Sequence, residues 1–264
     1  STPTGFTILD DVINFFGQIL SASSGNPTTQ DLKVAFIGDQ GSGSNADAVL
    51  QLIKNEGAHM VVHSGDFDYN DNPGAWDQKI TSNLGADFPY FASIGNHDDS
   101  SWTGTNGYQA KLQARLSRIS GASCNGDLGV NSACSYQGLF FILTGPGTMG
   151  SGHDAYIRNQ LAQDNSVWRV CSWHKNQREM QVGGKSSEVG WLPYEECRLG
   201  GAIIATAHEH SYARTKTLSD IQTQTVDTSC PDSAGTPDVD VCVSKGATFV
   251  FHSGLGGNSI RDQE

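Results

Sequence analysis

Five short apolar runs in this chain each lead into residues able to hold a cation. Val34-Ala35-Phe36-Ile37 runs into Gly38-Asp39, and Met60-Val61-Val62 leads to Gly65-Asp66-Phe67-Asp68-Tyr69. Phe91-Ala92-Ser93-Ile94 is followed by Gly95-Asn96-His97-Asp98. Val170-Cys171-Ser172-Trp173 ends in His174, and Ala202-Ile203-Ile204-Ala205 leads to His208-Glu209-His210. A carboxylate or imidazole just past a buried strand points into the crevice where open α/β sheets bind ligands. Asp66, in the second segment, is placed to bridge two metal ions. Carboxylate, amide, phenol and imidazole donors together suit iron, manganese and zinc rather than copper(I) or a thiolate zinc site. Two such cations about 3.5–4 Å apart can clamp both oxygens of an in-line phosphoryl displacement and generate a hydroxide between them. A single Gly-Asp after a strand is usually a turn; five donor-bearing strand ends in this order point to one centre.

The elements that must position these donors alternate strand and helix from Leu32. Spacing predicts a strand over 33–37, a helix over 46–56 (Ala46, Val49, Leu50, Ile53) and a strand over 59–64, which is a βαβ unit and implies a parallel pair. A loop and short helix over 70–86, a strand over 89–94 and a helix over 108–119 precede a Gly/Ser/Asn-rich loop between Cys124 and Cys134. Then come a strand over 139–143, a helix over 154–164, a strand over 167–173, a polar loop through Lys185, a helix over 187–199 and a strand over 202–206. Residues 214–243 read as an irregular or hairpin insertion, and 248–251 as the last strand. In residues 1–30, Ile8, Leu9, Val12, Ile13, Phe16, Ile19 and Leu20 recur at helical spacing, which predicts an N-terminal helix packed on a single domain spanning 31–264. The polar face of that helix lacks Lys and Arg, against a membrane-surface role.

Composition bounds the rest. The chain has 264 residues, 37% hydrophobic and 17% charged, with 31 glycines, as expected of a turn-rich globular protein. No apolar run approaches the roughly twenty residues a membrane helix needs. The start at Ser1, without Met or a signal peptide, reads as a mature or trimmed product. A net charge of −12 with no Lys/Arg cluster repels polyanions, so a nucleic acid is expected only as a substrate. Phosphate can still be held where cations supply local positive charge. The six cysteines form no CxxC pair. Nearest-neighbour pairing, Cys124 with Cys134, Cys171 with Cys197 and Cys230 with Cys242, is the expected disulfide pattern and implies an oxidising compartment.

The segments Gly38-Asp39-Gln40-Gly41, Gly65-Asp66-Phe67-Asp68-Tyr69, Gly95-Asn96-His97-Asp98, His174 and His208-Glu209-His210 resemble the ordered motifs of calcineurin-like metallophosphoesterases. The Gly-Asp-x-x-Tyr form, with Tyr69, resembles the purple acid phosphatase branch, and the likeness runs from about Leu32 to Ser211. It implies an α/β (α+β) metallophosphoesterase fold, a four-layer α/β/β/α sandwich of two mixed β-sheets with the site on loops at the sheet edges. It also implies Fe(III) at Asp39, Asp66, Tyr69 and His210, and Fe, Zn or Mn at Asp66, Asn96, His174 and His208, with Asp66 bridging. His97 would stand beside the leaving group as general acid. The implied reaction is hydrolysis of small phosphate monoesters by a metal-bound hydroxide, in a secreted protein.

Two departures from the family pattern bear on substrate choice and backbone freedom. Ala207 stands where the family usually has Gly. The second substrate-binding histidine of plant members has no counterpart after His174; the loop reads Lys175-Asn176-Gln177-Arg178, which leaves Lys175 or Arg178 as the candidate phosphate contact. Gly184-Lys185-Ser186 ends like a phosphate-binding P-loop, but Glu179 occupies the position where that motif requires Gly. His59, His63, His153 and His252 fall outside the motifs, and His63 and His252, on predicted strands, read as structural. Asp68, Asp71, Asp98 and Asp99 read as solvated or supporting neighbours of the ligands. The rival readings are a phosphodiesterase or nuclease on the same site, a metal-binding protein without turnover, and redox chemistry at an exposed iron pair. Oligomeric state is open.

Overall fold

Residues 32–230 and 241–261 are described by the computed structural model; the helix expected over 1–30 lies outside them. Strands β1 (Val34–Ile37), β2 (Met60–Ser64) and β3 (Tyr90–Ser93) are joined through helices α1 (Ser44–Asn55) and α2 (Pro73–Leu84). They lie side by side in chain order, and both pairings are parallel. Every residue of the three strands is buried, the pattern of a parallel sheet covered on both faces. Helix α2 runs a full 12 residues, longer than its weak apolar pattern suggests. Asn72 caps it by accepting from the Ala75 N–H at 3.0 Å, and Pro73 opens its first turn.

After helix α3 (Tyr108–Leu116) the chain builds a second sheet. Its strands are β4 (Ser123–Asp127), β5 (Asn131–Tyr136), β6 (Leu139–Thr144), β7 (Trp168–Ser172), β8 (Ile203–Thr206), β9 (Tyr212–Arg214) and, after a small β10 (Leu218–Asp220) and β11 (Thr225–Val226) pair, β12 (Val250–Ser253). The strand order is β4-β5-β6-β7-β8-β12-β9, antiparallel at both ends and parallel from β6 to β12. Helices α4 (His153–Gln163) and α5 (Leu192–Gly200) lie on it. Side chains alternate along its strands: Phe141, Leu143, Val170, Ile203 and Ala205 pack toward the three-stranded sheet and α1–α3, whereas Ile142, Cys171 and Ile204 pack toward Ile157, Tyr194 and Cys197 of α4 and α5. Helices thus enclose two facing sheets, the expected four layers. Only the larger sheet is mixed; the smaller is parallel throughout its described strands.

All three nearest-neighbour disulfides form. The Cys124–Cys134 segment is a hairpin rather than a loop, with the two cysteines opposite each other across β4 and β5. Its Gly, Ser, Asn and Asp residues hide the strand pattern because β4 faces solvent almost entirely. Helix α5 starts at Leu192, five residues later than its spacing suggests, with Pro193 in its first turn. Residues 187–191 thereby remain in the polar loop, which matters for the site.

Candidate metal centre

The C-terminal ends of β1, β2 and β3 and of β7, β8 and β12 come together along one seam between the sheets. Small polar groups link the sheets there: Ser64 Oγ lies 2.9 Å from Ser172 Oγ, and Ser93 Oγ donates to the Ser172 carbonyl at 3.0 Å. Just beyond, the backbone turns sharply. Asp39, Asp66, Tyr69 and His208 have φ of 55°, 60°, 60° and 74°, in the left-handed region that side chains beyond Gly rarely adopt. Strain of this kind persists only where surroundings over-determine it, and it clusters at functional sites.

Asp98 supplies much of that constraint. Fully buried, it accepts the backbone N–H groups of Asp66 and Gly95 on Oδ2 and of Phe67 on Oδ1, each at 2.8 Å. Burial and the Asp66 charge push its carboxyl up to about 8, against these N–H bonds, which favour the ionised form. The two turns touch directly: a Cβ at Gly95 would fall 2.1 Å from the Asp66 nitrogen, so only Gly fits. Asp68, also buried, accepts from the Tyr108 hydroxyl and the Asn70 N–H.

Three histidines are held by one ring nitrogen and present the other. The Ser64 carbonyl, which can only accept, takes Nδ1–H of His174 at 2.7 Å, leaving Nε2 directed at Asp66 Oδ2, 3.2 Å away. Glu188 Oε2 binds His208 Nε2 at 2.7 Å, and His208 Nδ1 lies 3.0 Å from His174 Nε2. Ser259 Oγ holds His210 Nδ1, and His210 Nε2 lies 3.3 Å from Asp39 Oδ1. Asp66, His174 and His208 form a buried trio whose ligand atoms all fall within 4.8 Å of one another. Burial opposes protonation of His174, but Asp66 and Asp39 outweigh it and raise the group to about 9; burial and the His174 charge hold His208 well below the ordinary range.

The remaining donors gather beside this trio. The Tyr69 hydroxyl donates to Asp39 Oδ1 at 2.8 Å and lies 3.2 Å from His210 Nε2. Burial, then Asp39 and Asp66, keep the phenol protonated far above its usual range. Asp39 Oδ2 accepts the His208 N–H at 2.8 Å, joining the two groups across the seam. Asp66 Oδ1 accepts the His97 N–H at 2.9 Å, and the exposed His97 ring stands 4.6 Å from the Tyr69 ring. Asn96 lies between Gly95 and His97, and its Oδ1 is buried with no hydrogen-bond partner. An acceptor buried without a donor is costly unless a cation meets it. That orphaned oxygen, three outward-braced imidazoles and two buried carboxylates fit cations of the hard or borderline kind. All seven expected ligands are accordingly found along one seam, with His97 at its rim.

Residues outside the motifs complete the surroundings. Lys175 is tied to Glu188 Oε1 at 2.9 Å, and Arg178 is exposed. The lysine that reaches the site is Lys185, with Nζ 3.1 Å from both ring nitrogens of His208. Burial lowers its pKa, partly countered by Asp39. Lys185 and Glu188 lie outside the family motifs, and only the path of their loop brings them here. His63 and His252 are buried and held neutral at about 4 by that burial, in keeping with structural roles. Ala207 causes no strain: it has no positive φ, and its methyl occupies the space a side chain at Gly38 would need.

Residues 32–212 match the family model described as calcineurin-like phosphoesterase. The chain belongs to that family. Among solved structures it is similar to a purple acid phosphatase isolated from yellow lupin (Lupinus luteus) seeds, at 16% identity and a TM-score of 0.55, over 88% of this chain and 45% of that one. The chain thus spans less than half the length of that structure, and the likeness is one of fold. No curated protein matches it.

Proposed function

We propose that this chain is a phosphomonoesterase of the purple acid phosphatase type, working in an extracellular, oxidising compartment. The observation that supports the reading is the Tyr69 hydroxyl, 2.8 Å from Asp39 and 3.2 Å from His210, a phenol set beside a carboxylate and an imidazole. Asp39, Asp66, Tyr69 and His210 would hold Fe(III), and Asp66, Asn96, His174 and His208 would hold Fe, Zn or Mn. When bound, the two cations supply Lewis acidity, lowering the pKa of water and neutralising charge on the phosphoryl oxygens. His97, exposed at the rim beside Tyr69, delivers a proton to the leaving oxygen. Asp98 holds the turns of Asp66 and Gly95 in register, and Glu188 fixes the tautomer of His208. Three disulfides are in keeping with the compartment. The net charge of −12 favours a small ester over a nucleic acid.

The test has two arms. Initial rates with added metals are compared on an aryl phosphate monoester and the matching diester, and a diester preference would move the function to a phosphodiesterase on the same site. The visible spectrum of the iron-loaded chain is compared with that of Tyr69→Phe, which should lose its charge-transfer band while keeping the second cation. An unchanged band would reject Tyr69 as an iron ligand.

A further inference from the structure

The loop between β7 and α5 carries Lys185 to the centre, although its motif resemblance is spurious. Its backbone is clamped onto Glu209, which is 1% exposed. Glu209 Oε2 accepts the Lys185 N–H at 3.2 Å, and Oε1 takes Nη1 of Arg261 at 2.9 Å. The Ser211 hydroxyl donates to the Val182 carbonyl, and Gln181 Nε2 to the Lys185 carbonyl at 3.1 Å. Gly183, at φ +147°, lies so close to Glu209 that a Cβ would fall 2.2 Å from its carboxyl carbon. This anchoring fixes where the lysine starts, and the side chain ends half-buried against His208.

An ammonium carries three donors and no acceptor. Neither ring nitrogen of His208 is free to serve it: Nε2 is engaged by Glu188, and Nδ1 faces His174 and Asp66 in the ligand trio. Lys185 has no carboxylate within ion-pair distance among the described residues, whereas Lys175 is paired with Glu188 at 2.9 Å. A cation held at a site rim without a counterion is complementary to an incoming anion. We propose that Lys185 binds a non-bridging oxygen of the substrate phosphoryl group, taking the part that the sequence left to Lys175 or Arg178, and that it biases the site toward dianionic monoesters over monoanionic diesters. This inference rests on the phosphoesterase reading above.

The experiment uses the metal-loaded chain with Lys185→Met and Lys185→Arg. Metal content, the inhibition constant of inorganic phosphate, and kcat and KM for a matched monoester and diester are measured, together with phosphate binding by calorimetry. A charge-assisted hydrogen bond of this kind corresponds to about 10–100-fold in binding. Lys185→Met should therefore weaken phosphate and raise the monoester KM about 10–100-fold, change the diester KM far less, and keep full metal content; Lys185→Arg should recover most of the loss. Unchanged phosphate binding at full metal content overturns the proposal while leaving the phosphoesterase reading intact. Loss of metal from Lys185→Met also overturns it, because the lysine would then act on the cation site. If the unaltered chain hydrolyses neither ester, the functional reading fails, and calorimetry with inorganic phosphate still decides whether Lys185 holds the anion.

Discussion

Replacing Asp98 with Asn tests whether the ligand turns are held by the protein itself. The carboxylate accepts three backbone N–H bonds, two on Oδ2 and one on Oδ1, all at 2.8 Å and all buried. An amide of the same shape keeps one acceptor oxygen. Placed toward Asp66 and Gly95, that oxygen leaves the Phe67 N–H facing an NH₂ group; turned the other way, it abandons two N–H groups. At least one buried donor is orphaned, at about 1–3 kcal/mol, and the surviving bonds lose their charge assistance, so the cost comes to about 2–4 kcal/mol. That is a large part of the roughly 5–15 kcal/mol by which domains are stable. The assay is urea unfolding of the metal-free chain with disulfides intact, followed by intrinsic fluorescence on the alkaline side of pH 8, where the carboxylate is ionised. Asp98→Asn should shift the midpoint by that amount without changing the slope. A difference below about 0.5 kcal/mol, the ordinary scatter of surface substitutions, would refute the idea that Asp98 holds the turns.

Other expectations are equally concrete. Glu188→Ala removes the partner of His208 Nε2 and leaves Lys175 uncompensated, so the second cation should bind about 10–100-fold more weakly in a chelator competition while the Tyr69 band persists; equal weakening of both sites would contradict this assignment. His252 has its pKa depressed by burial from 6.5 to about 4, so its contribution to stability is complete above 6.5 and is lost as pH falls through about 4. His252→Gln, which can still bond Ser211, should flatten the metal-free stability profile in that window by up to about 1.4 kcal/mol per pH unit, and an unaltered slope would mean that His252 titrates freely in the fold. His97→Ala should slow esters with poor leaving groups about 10²–10⁴-fold and activated ones far less, as judged from rates across an aryl ester series. Equal losses would remove His97 from the acid role.

The sequence brought out the candidate donors because their signal is local. Each donor follows a run of buried strand residues, and parallel strands in adjacent βαβ units must open their C-terminal ends on the same side. Once the order of the runs was read, the convergence of Asp39, Asp66, Asn96, His174 and His208 needed no knowledge of distant contacts. The hairpin at Ser123–Asp127 was missed for the opposite reason: β4 is an edge strand with little to bury, so it has no apolar alternation to detect. The sequence around Asp98 predicts only a solvated or supporting neighbour, because an aspartate beside a histidine says nothing about the three backbone N–H groups it accepts in the fold. Lys185 carries no phosphate-loop signal, because Glu179 stands where that motif requires Gly. What brings it to His208 is the anchoring of its loop on Glu209, a contact across 24 residues that no local pattern encodes.

The strain at the centre bears on how cations enter it. Four of the seven described non-glycine residues with positive φ are expected ligands, and each such conformation costs on the order of 1–3 kcal/mol. If metal coordination alone imposed those turns, the donors would not be braced from behind. They are braced: His174 by the Ser64 carbonyl, His208 by Glu188, His210 by Ser259, and Asp66 through its backbone by Asp98. None of these braces uses the nitrogen lone pairs or the Asp66 Oδ2 that face the cluster. For Asp66 and His208, two of the four strained residues, these contacts lie on the side away from the cluster. A centre built in this way offers cations a preset geometry, and their binding energy can go into affinity and acidity rather than into ordering the chain.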